Sequence, residues 1–194
     1  TRYRSDAAML LAQNDIDRSG IATVVSLIRV SDLDGSNGLR IDGAIGGSRG
    51  GDSVSGIGDF NGDGYEDVVV GAPGLLNGQQ LGQAYVVFGQ QDGFPASLGG
   101  SDLDGSNGFR ISSGVPGDQL GQSVSGAGDV NGDGLDDLIV GAVGSRTGYL
   151  VFGRASGIGP ELRPSDLDGT NGSTLSGSNI GSVAAAGDVN GDGL

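Results

Sequence analysis

The chain repeats itself, and the repeat restricts its fold more than any single residue does. Ser31-Asp-Leu-Asp-Gly-Ser-Asn-Gly-Leu-Arg-Ile41 returns as Ser101-Asp-Leu-Asp-Gly-Ser-Asn-Gly-Phe-Arg-Ile111, and again as Ser165-Asp-Leu-Asp-Gly-Thr-Asn-Gly172. Between these copies runs a second element, Asp59-Phe-Asn-Gly-Asp-Gly-Tyr-Glu-Asp67, matched by Asp129-Val-Asn-Gly-Asp-Gly-Leu-Asp-Asp137 and by the opening Asp188-Val-Asn-Gly-Asp-Gly-Leu194. Two elements keeping step at intervals of about 60–70 residues signal a repeat architecture, in which each unit buries its apolar surface against the next. The units divide the chain into 31–100, 101–164 and a shortened 165–194.

Each unit predicts four short strands. Ser53–Gly58 and Ser123–Gly128 are small and Gly-rich. Asp67–Ala72 and Asp137–Ala142 carry Val68-Val-Val70 and Leu138-Ile-Val140, apolar runs of the length expected for a strand covered on both faces. Gln83–Phe88 and Gly148–Phe152 are apolar and aromatic, and Phe109–Ser112 is shorter and more polar. Gly and Pro mark where the strands stop. Small, apolar, aromatic and polar, in that order, suit radial blades. The inner strands crowd at an axis, the middle two are sandwiched, and the outer one meets solvent. The expectation is all-β: β-propeller blades, about two of them whole.

The acidic element predicts a cation loop. Side-chain oxygens stand at alternate positions 1, 3 and 5 and again at 9: Asp59, Asn61, Asp63 and Asp67 in one copy, Asp129, Asn131, Asp133 and Asp137 in the next. Tyr65 and Leu135, at position 7, can each add a carbonyl oxygen. Such hard-oxygen sets suit Ca²⁺, which takes about 6–8 oxygen ligands. Asp188, Asn190 and Asp192 begin a third set, whose position 9 lies beyond Leu194. An EF-hand or dockerin-like module is the less favoured alternative: it needs a carboxylate at position 12 and a helix after it, whereas Val70 and Val140 stand there and β-branched strands follow. The Asp-Leu-Asp-Gly-Ser-Asn-Gly element reads as a tight turn before a strand. Residues 1–30 fall outside the repeat. Within them Asp15, Asp17 and Ser19 trace a worn acidic loop with Thr23 at its ninth position, and Ala22–Val30 is strand-like.

Composition removes several function classes. The 194 residues carry a net charge of −14, which repels nucleic acid and anionic membranes. Cys and His are absent, so disulfides, Cys or His nucleophilic triads and most zinc sites are excluded. No apolar run approaches the ~18 residues of a membrane helix. Carboxylates are plentiful enough for glycosidase-type chemistry, which keeps the propeller part of a secreted hydrolase or polysaccharide lyase as an alternative. Yet from Ser31 onward the acids recur in register, as structural groups do, whereas a catalytic group would break the repeat.

The stretches Gly50–Pro73 and Leu120–Val143, running from Gly-Gly or Leu-Gly through the acidic loop to Gly-Ala-Pro or Gly-Ala-Val, resemble FG-GAP repeats, the blades of integrin α-subunit propellers and of many bacterial surface proteins. The departures are Gly50-Gly51 and Leu120-Gly121 for Phe-Gly, and Val143 for the second Pro. The resemblance implies Ca²⁺ loops between the first two strands of each blade. It also implies a non-catalytic module of an extracellular or cell-surface protein, binding a protein or glycan ligand on the propeller face. Propellers close with about 4–8 blades, more than this length supplies, so the remaining blades of a larger protein are expected partners.

Overall fold

A computed structural model describes residues 30–43, 47–74, 79, 81–177, 180 and 182–186. The worn loop near Asp15 and the third acidic set, Asp188, Asn190 and Asp192, lie outside the described residues.

The elements are short and almost all β. In chain order the strands are β1 (Arg40–Asp42), β2 (Ser53–Gly58), β3 (Asp67–Ala72), β4 (Gln83–Val87), β5 (Ser97–Gly99), β6 (Gly108–Ser112), β7 (Leu120–Gly128), β8 (Asp137–Ala142), β9 (Thr147–Val151), β10 (Glu161–Leu162) and β11 (Gly172–Ser176). Single 3₁₀ turns at Val30–Asp32 and Pro164–Asp166 are the only helical elements among the described residues. Strands β2, β3, β4 and β6 form an antiparallel meander, and β7, β8, β9 and β11 repeat it. These are two propeller blades side by side, and the described residues do not close into a ring. Each sheet takes as its outer strand the one that follows the next Ser-Asp-Leu-Asp element, so the sheets span 53–112 and 120–176.

Most expected strands agree with those observed to within a residue. The inner strand of the second sheet differs: it begins at Leu120 rather than Ser123, with a register shift between Leu120 and Ser123. Gly121 sits in that irregularity at φ +86°, and a methyl group there would lie 2.2 Å from the Gln83 carbonyl oxygen. The Gly of the Phe-Gly position is therefore required twice, by its backbone angle and by close approach of the first sheet.

The two blades dock at three levels. Near the inner edge, the Ser53 and Ser55 hydroxyls accept from the Val124 and Gly126 N–H groups at 3.0 and 3.3 Å. The pattern continues from Ser123 and Ser125 to the N–H groups of Val183 and Ala185. In the middle, Val69, Val86, Phe109 and Ile111 of the first sheet meet Leu138, Val140, Ala142 and Val151 of the second in one buried cluster. Phe60 and Phe88 stack within it and Phe109 lies tilted against both, with ring centroids 5.6–6.4 Å apart. At the rim, β10 leaves the second blade's span and pairs parallel with β6, and Glu161 is ion-paired with Arg110 at 2.8 Å. Pairing of β5 with β1 repeats this arrangement one unit earlier.

Phe109 is fully buried at the centre of the docking cluster, whereas Val54 on β2 is 48% exposed. Phe109→Ala is expected to cost about 3–5 kcal/mol by the usual cavity penalty, and Val54→Ala within about 0.5 kcal/mol of zero as a surface change. Urea denaturation of the two variants checks both values.

Candidate cation loops

Each acidic loop joins the inner strand of a blade to its second strand. The first spans Asp59 to Asp67 between β2 and β3, and the second Asp129 to Asp137 between β7 and β8. The two share most of their internal hydrogen bonds, and Asp129 additionally accepts from Gly132 N–H at 2.8 Å. Asp59 turns inward, and its carboxylate accepts from the N–H groups of Asp63 and Gly64 at 3.0 and 2.9 Å. Asp129 does the same with Asp133 and Gly134 at 3.1 and 2.8 Å. Asn61 Oδ1 accepts from Asp63 N–H, and Asp63 Oδ1 from Tyr65 N–H, both at 2.9 Å. Asn131, Asp133 and Leu135 form the matching pair of bonds, also at 2.9 Å. Gly64 and Gly134 stand at position 6 with φ +89° and +90°, the left-handed conformation that a tight loop needs there.

Position 9 behaves differently from positions 1, 3 and 5. Asp67 is completely buried at the start of β3. Its two oxygens accept from Phe60 N–H at 3.0 Å and Gly89 N–H at 2.8 Å. Asp137 is buried in the same way, accepting from Val130 and Gly153 N–H at 2.9 and 2.8 Å. Burial pushes the Asp67 carboxyl up to about 6, opposed by these N–H bonds and aided by the charges of Asp63 and Asp59. The Asp137 carboxyl is raised for the same reasons.

The donor chemistry fits a hard cation, because every side chain at the four ligand positions offers oxygen. Among the described residues, no three acidic side chains are grouped in a metal-holding arrangement. The loop oxygens instead hold the loop's own N–H groups. Tyr65 is exposed and Leu135 half-buried, each at position 7 of its loop.

The Asp-Leu-Asp-Gly-Ser-Asn-Gly elements are tight turns, as expected. Asp34 accepts from Ser36 N–H and Oγ at 2.9 and 2.7 Å, while Asn37 Nδ2 donates to the Asp32 carbonyl at 2.9 Å. Asp104 and Asp168 repeat these bonds with Ser106 and Thr170. Side-chain and backbone hydrogen bonds from Ser36, Ser106 and Thr170 hold these three carboxyls below the usual range.

A family model for the FG-GAP repeat matches residues 50–87 and 120–151, which contain both loops and the three inner strands of both blades. The chain carries FG-GAP repeats. It is 36% identical to human integrin alpha-E over 129 residues, 62% of this chain and 10% of that protein. It is 34% identical to bovine integrin alpha-2 over 116 residues, 58% of this chain and 8% of that one. It is 40% identical to Caenorhabditis elegans integrin alpha pat-2 over 92 residues, 47% and 7% respectively. The chain thus spans about a tenth or less of these curated relatives. In both FG-GAP repeats the buried acid comes from the loop's last position, where the second strand begins.

Two features of the site carry no mark in the ligand pattern. Phe60 anchors the first loop in the core from position 2, but its counterpart Val130 is 48% exposed. Asp136, at position 8, reaches the other loop. The repeat itself could have pointed to Phe60, since an aromatic residue directly after Asp59 has no ligand role.

Asp67 is expected to matter to the fold even in chelator. Asp67→Asn keeps one acceptor oxygen and turns an NH₂ toward one of the two N–H groups, so it should cost about 1–3 kcal/mol. Denaturation in excess chelator measures it, and a loss under about 0.5 kcal/mol would show that Asp67 has no such structural task.

Proposed function

We propose that the chain is a Ca²⁺-binding, non-catalytic β-propeller module of an extracellular or cell-surface protein, serving adhesion or the binding of a protein or glycan ligand. The observation that carries the calcium reading is the hydrogen-bond pattern shared by two loops in which every side chain at the four ligand positions offers oxygen. Similarity to integrin alpha chains supports the adhesion reading. Among the described residues no helix is long and apolar enough to cross a membrane.

Asp59, Asn61, Asp63 and Asp67, with the Tyr65 carbonyl, would hold one ion. Asp129, Asn131, Asp133 and Asp137, with the Leu135 carbonyl, would hold another. Asp188, Asn190 and Asp192 would contribute to a third. Bound Ca²⁺ supplies the positive charge that crowded carboxylates lack, and it stabilises whichever state presents the complete oxygen set. Extracellular modules of this kind bind Ca²⁺ at about 10⁻⁴–10⁻³ M, weak enough to fill only outside the cell. The acids serve loops and turns that recur once per blade, which is the pattern of a scaffold rather than of an active site.

Calorimetric titration of the chain with Ca²⁺ should show two binding events, one of them lost in Asp133→Ala. The absence of both heat and any melting-temperature difference between Ca²⁺ and chelator would overturn the calcium reading.

The raised Asp67 carboxyl adds a signature in pH. In chelator the folded state holds the Asp67 proton more tightly than the unfolded state does, so this contribution to stability is present below the unfolded pKa and fades as pH rises through about 6. Acidification from about pH 7 to pH 5 should therefore raise the melting temperature in chelator. It should lower it in Ca²⁺, where protons compete with the ion for the same oxygens. Thermal melts at the two pH values, with and without Ca²⁺, check the crossing of sign.

A further inference from the structure

The two loops touch, and the contact is made by a residue outside either ligand set. Asp136 occupies position 8 of the second loop. Its Oδ2 accepts from the Asp59 N–H at 2.9 Å, and its own N–H donates to the Asp59 carbonyl at 3.3 Å. One residue of the second blade thus holds both backbone polar groups of the first loop's position 1, 77 residues away in sequence. Its neighbours reinforce the grip. Arg154 N–H donates to the Phe60 carbonyl at 2.9 Å, and the Leu135 side chain lies 2.9 Å from where a methyl group on Gly62 would sit.

Gly58 shows how closely the contact is fitted. A methyl group there would lie 2.0 Å from Asp136 Oδ2 and 2.3 Å from its Cγ. Gly128 is the counterpart of Gly58 in the second blade. Its φ is +69° against +68°, yet a methyl group there meets nothing within 4 Å among the described residues. Glu66, the counterpart of Asp136, is exposed.

We propose that Asp136 is a positioning residue for the first loop: it fixes Asp59 and so ties the cation affinity of residues 59–67 to the docking of the second blade. The coupling rests on the calcium reading above. Asp59 places its carboxylate by holding Asp63 and Gly64 N–H, so a backbone already fixed at Asp59 leaves less to order when an ion binds. The second loop has no such clamp on Asp129 among the described residues. A charge effect alone would act differently, because the Asp136 carboxylate belongs to the second loop and its field would strengthen that loop's affinity at least as much.

The test uses the full chain and Ca²⁺, followed by NMR at the Gly64 and Gly134 amides, one in each loop, with hydrogen exchange at the Asp59 amide in chelator. Asp136→Ala should raise the Ca²⁺ midpoint at Gly64 and speed Asp59 exchange, each by about tenfold for a lost bond to a charged acceptor. The Gly134 midpoint should not move. Asp136→Asn, which keeps an acceptor oxygen, should restore most of both effects. Gly58→Ala should behave like Asp136→Ala, while Gly128→Ala, with the same backbone strain, should leave the first loop unchanged. The proposal is overturned if the two midpoints shift together or if Asp59 exchange is unaltered in Asp136→Ala. Failure of the calcium reading looks different: neither glycine responds to Ca²⁺ in the unaltered chain. That result removes the coupling, and the Asp59 exchange rates still decide whether the clamp exists.

Discussion

Each blade depends on a buried carboxylate at the foot of its acidic loop. Asp67 gathers Phe60 N–H from the start of the loop and Gly89 N–H from just beyond β4. Asp137 does the same for Val130 and Gly153. One side chain therefore ties the loop to the second and third strands at a point where no ladder bond could do so. Burying a carboxylate is costly, and burial accordingly pushes the Asp67 carboxyl up. Two N–H donors offset part of it. A cation shared with the exposed acids of the same loop would offset more, which makes metal binding and blade stability one problem rather than two.

The apolar residues follow from this frame. With the loop fixed to the end of β4, Val69, Val86 and Phe109 line one face of the first sheet, toward the second blade. Val68, Tyr85 and Val87 line the other face, in a second cluster with Leu98 and Leu103. Both faces of the middle strands are covered, so their sequence is a run of apolar residues rather than an alternation. The inner strands obey a different rule. Gly126 comes so near the first sheet that a methyl group would lie 2.9 Å from the Gly56 carbonyl oxygen. Only small side chains fit there, and serine hydroxyls supply the bonds between strands that are too close for apolar packing but belong to different sheets.

These rules explain what could be read from the sequence. The repeat, the strand order and the middle strands were legible because each rests on local composition recurring in register. The turn function of Asp34, Asp104 and Asp168 was legible for the same reason. Strands β5 and β10 were not expected: they are two or three residues long, and each pairs in parallel with a strand from earlier in the chain. Their trace in the sequence is slight, a leucine three residues before the second and third Ser-Asp-Leu, at Leu98 and Leu162. The different tasks within the loop were hidden as well. Positions 1, 3, 5 and 9 look alike as a ligand pattern, and only the fold sets the buried acids apart from the others. Asp136 was illegible in principle, because its partner Asp59 is close only after two blades have docked.

The blades meet through serine bonds near the inner edge, an apolar layer, a parallel strand at the rim and the Asp136 clamp at one end. Each link runs from one unit to the next. Stability in such an array is a sum of unit terms and nearest-neighbour terms. The two loops nevertheless occupy unequal positions in that sum. The first is gripped by the blade that follows it, through Asp136, Leu135 and Arg154. The second presents the same oxygens on a backbone that no described residue holds at Asp129. Loops of nearly the same sequence thus differ in their described contacts: the first is held at Asp59 by its neighbour and anchored by the buried Phe60, where the second has the exposed Val130.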